Sequence, residues 1–164
     1  MATSGWTTRP ARPDDVEALA DLKLHALRGD LERVGVWRPA HNRARFVREF
    51  VADETLVVQL GERVVGCLAV HPDGDTTWLR HFYLHEEARG RGIGTRLLTE
   101  ALASASTPTV TLDVLSGSRA ESLYRRLGFV PVEDDGVDTI MRRDVADAGA
   151  VRGPGDRRDA TAGG

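Results

Sequence analysis

The sequence predicts one domain of the α+β class, in which helices and strands share a core. The chain has 164 residues, 41% of them hydrophobic and 29% charged, which suits a single globular domain. Apolar residues at helical spacing mark four segments, and runs rich in β-branched residues mark seven more. Their order, β-α-α-β-β-β-α-β-α-β-β, predicts a mixed α/β arrangement of one sheet flanked by helices.

Two helices are predicted near the start of the chain. Asp14 or Asp15 can cap the first, which Gly29 would end. The second is expected from about His41 to Ala52, where apolar side chains recur every three or four residues. Leu31 to Pro39, between the two helices, is expected to form a mobile loop.

The β-rich segments are predicted to form one sheet. Gly61-Glu62 separates two of them, and glycine at the first turn position favours a type II′ hairpin. The predicted strands are Thr7–Arg9, Thr55–Leu60, Arg63–Val70, Thr76–Leu84, Thr109–Leu115, Phe129–Val132 and Val137–Met141.

Two further helices are predicted in the second half. One runs from about Gly92 to Ser104 with its apolar residues on one side. Ser118 and Glu121 form the S-x-x-E pattern of a capping box, which would open a helix that runs through Leu127 and is closed by Gly128.

The end of the chain is expected to be a flexible tail. From Asp144 onward there is no aromatic residue, and only Val145 and Val151 are sizeable apolar side chains. Such a segment buries too little surface to offset the entropy lost on ordering. The predicted domain is therefore residues 1–143, followed by a tail of residues 144–164.

Composition excludes several classes of function. A net charge of −3 gives no basic field of the kind that gathers nucleic acid or anionic lipid. No apolar run approaches the length of a membrane helix, and residues 1–10 do not resemble a secretion signal, so a cytoplasmic protein is expected. The single cysteine, Cys67, lies in an apolar run and is interpreted as a buried core residue.

A glycine-rich loop is predicted between a strand and a helix. Gly90, Gly92 and Gly94 allow the backbone to turn sharply and to approach a ligand closely. A helix N-terminus adds unpaired N–H donors and positive potential, and Arg89 and Arg91 add charge. The loop is therefore a candidate phosphate site, although three glycines alone are equally compatible with a turn that only permits tight packing.

Two nucleotide-binding alternatives fit the loop less well. A P-loop would need a lysine, and the only lysine of the chain is the distant Lys23. A dinucleotide site has some support, because Asp113 falls about where a ribose-binding acid would lie. The third glycine is misplaced, however, and two helices and a hairpin precede the unit, so an NAD-binding oxidoreductase remains a remote alternative.

Two motifs resemble those of the GCN5-related N-acetyltransferase (GNAT) family. Arg89, Gly92 and Gly94 match the family's Q/R-x-x-G-x-G/A cofactor motif. Residues 120–129, AESLYRRLGF, are similar to its A-x-x-L-Y-x-x-x-G-F helix. With the order of elements, the similarity covers nearly all of Thr7 to Arg142.

The resemblance implies the GNAT fold, a mostly antiparallel mixed sheet of about six or seven strands, splayed into a V and flanked by about four helices. Two positions depart from the family pattern. Glu86 stands where the family often has proline, and Gly117 where it often has asparagine. These departures are expected to alter local contacts and to leave the fold unchanged.

The resemblance also implies that acetyl-CoA, without a metal, lies where the strands ending at Leu84 and Leu115 splay apart. Backbone groups of Phe82 and Leu84 would pair with the pantetheine. A bulge near Phe82 would turn its N–H toward the acyl carbonyl and stabilise the developing oxyanion. The implied cofactor contacts are Phe82, Tyr83, Leu84, Arg89, Gly90, Arg91, Gly92, Ile93, Gly94, Thr95 and Tyr124.

Tyr124 holds the family position of the group that protonates or hydrogen-bonds the leaving thiolate. It also belongs to a helical stripe with Ala120, Leu123 and Leu127, which is the spacing of a residue that packs a core. Both interpretations can hold together.

The residue that accepts the proton of the amine is less clear. Where family members often carry Glu or His, this chain has Trp78 and Arg80, and neither is a base. His81 has a suitable intrinsic pKa but would face away from the opening in a regular strand, unless a bulge reverses it. A water chain, a residue from Leu31 to His41, and Asp113 are the other candidates.

Arg80 could instead clamp a carboxylate or phosphate of the acceptor, although a surface ion pair is an equal alternative. By family analogy, Trp37, Arg38 and His41 are candidate pocket walls, and Trp78 is placed with the substrate site.

The expected function is transfer of an acetyl group from acetyl-CoA to a primary amine of a small molecule or peptide, by direct attack in a ternary complex. The alternative is a non-catalytic module that binds or senses acyl-CoA. Neither nucleic acid nor membrane is an expected partner. Small family members often dimerise through late strands or helices, so a homodimer is also an expectation.

Overall fold

A computed structural model describes residues 5–145, which form a seven-stranded sheet with four α-helices. The predicted α+β class is confirmed. The strands are β1 (Trp6–Pro10), β2 (Thr55–Leu60), β3 (Arg63–Asp73), β4 (Thr76–Leu84), β5 (Thr109–Leu115), β6 (Val130–Asp134) and β7 (Asp138–Asp144). The helices are α1 (Val16–Arg33), α2 (Pro39–Glu49), α3 (Ile93–Ser104) and α4 (Ala120–Arg126).

The sheet runs in the order β1-β2-β3-β4-β5-β7-β6, and every pair is antiparallel except β4 with β5. That parallel pairing spans only Thr76 to Leu79 against Thr109 to Leu112. Beyond these residues the two strands are no longer paired, although both continue. We call the gap between Arg80–Leu84 and Asp113–Leu115 the opening; it corresponds to the V-shaped splay that the family resemblance implies.

Each face of the sheet is covered by a pair of helices. The face that carries Val58 and Leu112 packs against α3 and α4 in the larger core. The opposite face carries Val57 and packs against α1 and α2, with Phe46 fully buried there. Neighbouring residues of one strand, such as Val57 and Val58, therefore enter different cores, as the alternation of a strand requires.

The predicted end of α1 is wrong. The helix continues through Gly29 to Arg33, and the buried Leu31 anchors its last turn. Tertiary burial thus outweighs the weak helix preference of one glycine. Only residues 34–38 remain between α1 and α2, because α2 already starts at Pro39.

Gly29→Ala is expected to raise the free energy of unfolding by about 0.5–1 kcal/mol, because alanine restricts the unfolded chain and favours the helix. A Cβ at this position would meet nothing within 4 Å. Denaturant unfolding measures the change. Gly35→Ala is the matched control: it is equally open but has a φ of +81°, so it should destabilise by about 1 kcal/mol. Equal effects of the two changes would contradict this reasoning.

The predicted capping box at α4 forms in a modified way. Ser118 Oγ accepts the N–H of Ala120 at 3.3 Å, and the Glu121 carboxylate accepts the N–H of Gly117 at 2.9 Å. Both residues satisfy backbone donors at the start of the helix, as the pattern predicts, although the helix begins two residues after Ser118.

The final strand is longer than predicted. β7 includes Asp144, and Val145 packs against the larger core, so the domain extends past residue 143. The rest of the predicted tail, residues 146–164, lies outside the described residues. Within residues 5–145, no helix is both long and apolar enough to cross a membrane.

Candidate functional site

A cavity of about 1020 Å³ lies at the opening between β4 and β5. Its walls come from both faces of the sheet: Tyr124 of α4 and Phe82 lie on the α3/α4 side, and Lys23 and Glu49 on the α1/α2 side. We call it the central cavity. At the point where β4 and β5 stop pairing, it connects an aromatic wall on the α3/α4 side with a charged wall on the α1/α2 side.

The glycine loop adopts the conformation that its sequence predicts. Gly90 and Gly92 have φ angles of +72° and +75°, in the left-handed region that favours glycine, and Gly92 is the N-cap of α3. Gly94 is buried, and a Cβ there would lie 3.2 Å from Phe82 Cζ. The loop therefore presents a helix N-terminus at the α3/α4 side of the opening.

The side chains around this loop divide into two groups. Arg89 and Arg91 are exposed, and their Nε atoms donate to the carbonyls of Leu84 and Glu87 at 3.3 and 3.0 Å. These bonds leave the other guanidinium nitrogens for a ligand. Ile93 is buried in the core, so only its backbone can contact a ligand, whereas Thr95 is exposed on the first turn of α3.

The family resemblance implies that this loop binds acetyl-CoA, and on that expectation Gly92→Ala should raise KM for acetyl-CoA by about tenfold. It should also lower stability by about 1–2 kcal/mol, because a side chain strains the left-handed backbone. Steady-state kinetics and denaturant unfolding measure the two effects. Gly61→Ala, in the β2–β3 turn with a φ of +59°, imposes comparable strain far from the loop and should leave KM unchanged. A similar KM change in both variants would contradict a role for the loop in cofactor binding.

Tyr124 is packed in the core, as its helical stripe predicts, and it also reaches the central cavity. Its ring packs beside Phe82 and Phe129, with centroids 6.4 and 5.9 Å apart, and only 5% of the residue is exposed. It also lines the central cavity. Burial raises the pKa of the Tyr124 hydroxyl, with a smaller contribution from Asp113, so the hydroxyl keeps its proton and acts as a hydrogen-bond donor.

A bulge in β4 turns His81 toward the α1/α2 side. Arg80 pairs with Ala69 and Tyr83 with Cys67, so His81 and Phe82 together face one residue of β3. His81 has a φ of +51°, a strained value for a residue with a side chain. The bulge lies at the position expected near Phe82, and it reverses the orientation that a regular strand would give His81.

The His81 ring lies in a tight pocket. It makes an edge contact with Phe46 at 4.9 Å between centroids, and Nδ1 lies 3.1 Å from the Tyr83 hydroxyl. Nε2 is 3.4 Å from Glu49 Oε2 but makes no hydrogen bond among the described residues. Only 10% of the His81 side chain is exposed. His81 is also one of the residues that line the central cavity.

Burial lowers the pKa of His81 to about 4, although Glu49 acts in the opposite direction. Because this value lies below the ordinary value of 6.5, the unfolded chain binds more protons between the two, and stability falls as the pH drops from 6.5 to 4. At about 1.4 kcal/mol per pKa unit, we expect His81 to account for a loss of about 3 kcal/mol.

Denaturant unfolding at pH 7 and pH 4 measures this loss, and the His81→Gln variant separates it from the titration of carboxylates. The variant should lose about 3 kcal/mol less than the wild type over this pH range. Parallel pH profiles of the two proteins would show that His81 is not buried in its neutral form.

Arg80 and Trp78 line the central cavity, and the Arg80 guanidinium stacks over the Trp78 ring at 5.2 Å. Within the described part of the chain, no carboxylate lies within ion-pair distance of Arg80. Arg38 and His41 also line the cavity, whereas Trp37 does not: its ring packs against Arg28 at 5.4 Å.

Several residues of the cavity were not identified from the sequence. Lys23 reaches it from α1, and Asn42, Arg45 and Glu49 lie along one side of α2. Their spacing of three, four and seven residues places them on one helix face, a signal present in the sequence. Arg45 Nε donates to Glu49 at 2.9 Å, so this face presents an ion pair to the opening.

Asp113, a candidate base, lies beyond the last β4–β5 pair, is exposed, and also lines the cavity. Asp138 lies on the neighbouring strand β7, and burial followed by repulsion from Asp113 raises its pKa. The carboxylates of Asp113 and Asp138 therefore line the part of the cavity that β5 and β7 form.

The fold is shared with several proteins of known structure, one of which is described as an N-acetyltransferase. Protein PH1933 of Pyrococcus horikoshii OT3 superposes with a TM-score of 0.70 at 21% identity, covering 85% of this chain and 98% of its own. PaiA N-acetyltransferase of Thermoplasma acidophilum, solved with coenzyme A, has the same TM-score and coverage at 20% identity. Ard1 of Thermoplasma volcanium has a TM-score of 0.65 at 20% identity, with 85% and 97% covered.

Sequence comparison is more decisive about the family. A search of curated proteins finds no match. The family model described as an acetyltransferase (GNAT) domain, however, matches residues 50–131, half of the chain. This range contains the hairpin, the bulged strand, the glycine loop and the helix of Tyr124. The chain therefore belongs to the GNAT acetyltransferase family.

Proposed function

We propose that this protein transfers an acetyl group from acetyl-CoA to a primary amine by direct attack within a ternary complex. The observation that carries the proposal is the opening itself. On one face of the sheet, Tyr124 lines the central cavity, and the glycine loop lies next to Phe82 and Leu84 at the end of β4, outside the cavity lining. On the other face, the cavity has charged walls. A donor and an acceptor can thus meet from opposite faces of the sheet.

The glycine loop is suited to the pyrophosphate of the donor. Its backbone amides at the start of α3, with Arg89 and Arg91 beside them, supply N–H groups and positive charge. The coenzyme A complex of PaiA N-acetyltransferase, which has this fold, supports the same kind of ligand here. The unpaired edges of β4 and β5 leave room for the extended arm of such a molecule.

In the proposed reaction, the amine nitrogen forms a bond to the thioester carbon and the carbon–sulfur bond breaks. The bulge next to Phe82 orients that residue's N–H toward the developing oxyanion. Tyr124 donates a hydrogen bond to the departing sulfur, since its raised pKa disfavours full loss of the proton.

The proton released by the attacking amine goes to His81, directly or through water. His81 is neutral at pH 7, and in the tautomer whose Nδ1–H donates to the Tyr83 hydroxyl the lone pair of Nε2 can accept a proton. Because its pKa is lowered to about 4, His81 is a weak base and holds this proton only in passing. Glu49, 3.4 Å from Nε2, stabilises the resulting imidazolium. Because Glu49 is partly exposed, it also gives that proton a route to solvent.

Release of free coenzyme A from acetyl-CoA, measured across a panel of primary amines, tests the proposal. We expect release that depends on both the amine and its concentration, with the acetylated amine found by mass spectrometry in equal amount. Stabilisation by acetyl-CoA without turnover on any amine would instead support a binding or sensing module. Thermal stabilisation by NADH and not by acetyl-CoA would support the dinucleotide alternative and exclude ours.

A further inference from the structure

Lys23 is a buried cation at the central cavity. It is the only lysine of the chain, only 7% of it is exposed, and the fully buried Leu19 and Ala20 lie near it in α1. Its Nζ lies 5.9 Å from the centroid of the Phe46 ring. The side chain thus crosses an apolar layer before its ammonium reaches the cavity wall.

The ammonium of Lys23 has few hydrogen-bond partners and no close counter-ion among the described residues. Its one hydrogen bond to the described residues is a long one, 3.4 Å, to the backbone carbonyl of Asn42. No carboxylate of residues 5–145 lies within 4 Å of it, because the nearby Glu49 is paired with Arg45. An ammonium can donate three hydrogen bonds, so two remain for a group in the cavity. Burial also lowers the pKa of Lys23, as expected for a cation without a close counter-ion.

The carboxylates of the cavity are in a different situation. Asp113 is exposed, and Asp134 and Asp135 accept backbone N–H groups of their own turn. Hydrated carboxylates of this kind need no ligand, whereas a buried cation without a counter-ion is unfavourable. Asp138 is only partly buried, so Lys23 is the most deeply buried charged side chain of the cavity, and an anion would satisfy it. Arg80 at the rim adds a second cation without a carboxylate partner among the described residues.

We propose that the acceptor amine carries a carboxylate, as a free amino acid does, and that Lys23 binds this carboxylate with Arg80 assisting at the rim. The proposal rests on the N-acetyltransferase function proposed above. Lys23 and Tyr124 both line the central cavity. An amino acid bound there can place its amine near Tyr124 while its carboxylate reaches Lys23.

The test compares each of the twenty amino acids with its carboxamide, which keeps the amine and removes the negative charge. The wild-type protein is expected to prefer at least one acid to its amide by about tenfold or more in kcat/KM, mainly through KM. In Lys23→Met, which keeps the length and apolar packing of the side chain, this preference should largely disappear. Lys23→Arg should retain part of it, and Arg80→Gln should reduce it less than Lys23→Met.

Arg48→Gln is the matched control, because it removes one positive charge from an exposed position of α2 that does not line the cavity. It should leave the preference for the acid unchanged. Turnover of the amide by each variant, together with its melting temperature, shows that the variant is folded.

Calorimetric titration of the amino acids in the presence of coenzyme A decides the role of Lys23 independently of turnover. If Lys23→Met weakens binding of an amino acid about tenfold, the Lys23 proposal is supported. If that amino acid binds but is not acetylated, only the proposed acetyltransferase function fails. If no amino acid binds, or if acid and amide bind equally, the Lys23 proposal is wrong. Preference for a linear diamine over every amino acid would also overturn it and would assign recognition to the carboxylates of β5 and β7.

Discussion

Replacing Tyr124 with phenylalanine is expected to lower kcat by about 100-fold, the usual effect of removing one hydrogen-bond donor from a transition state. The ring contacts with Phe82 and Phe129 remain, so KM for acetyl-CoA should change little. Steady-state release of coenzyme A measures both constants.

The melting temperature controls for a structural explanation of this result. Tyr124 is buried in the core, but phenylalanine fills the same volume and removes only the hydroxyl. We expect its stability to stay within about 1 kcal/mol of the wild type. Undiminished kcat would exclude Tyr124 from the reaction and would leave it only the packing role of its helical stripe.

Phe46→Ala is expected to cause the largest loss of stability, about 3–5 kcal/mol, because Phe46 is fully buried in the smaller core. For a domain of this size, the melting temperature should fall by about 10 °C. Activity should fall as well, since the ring contacts both His81 and Lys23. Thermal unfolding and kinetics of the same preparation measure the two effects.

The neighbouring residue provides the control for this change. Val47 lies on the same helix with 41% of its surface exposed, and Val47→Ala should cost less than about 1 kcal/mol. If the two variants lost similar stability, α2 would not be anchored by Phe46, and the placement of Glu49 and Lys23 around it would need revision.

Most of the fold could be predicted from sequence because its elements have strong local signals. The bounds of three strands, Thr55–Leu60, Thr76–Leu84 and Thr109–Leu115, agree with the structure at both ends. Gly61 has a positive φ in a tight turn, as the predicted hairpin requires. The end of α1 was missed because it depends on the burial of Leu31 in the folded domain, which the local preference of Gly29 does not reveal.

The candidate site was predictable only on its cofactor side. That side depends on the backbone conformation of the loop, which the glycines at positions 90, 92 and 94 predict. The acceptor side depends on one inserted residue in β4, and no side chain near His81 marks a bulge. The acceptor side also depends on which residues of α1 and α2 face the sheet. Lys23 could not be identified from the sequence as part of the site, because lysine side chains are usually exposed.

Cys67 offers a built-in probe of how often the molecule opens. It is the only cysteine, it is fully buried between Val57 and Tyr83 in adjacent strands, and burial raises the pKa of its thiol to about 12. A thiol reagent can therefore modify it only when the helices and the sheet transiently separate. The labelling rate would report the free energy of that separation, and its slowing by a ligand would show that the ligand holds the two halves of the domain together.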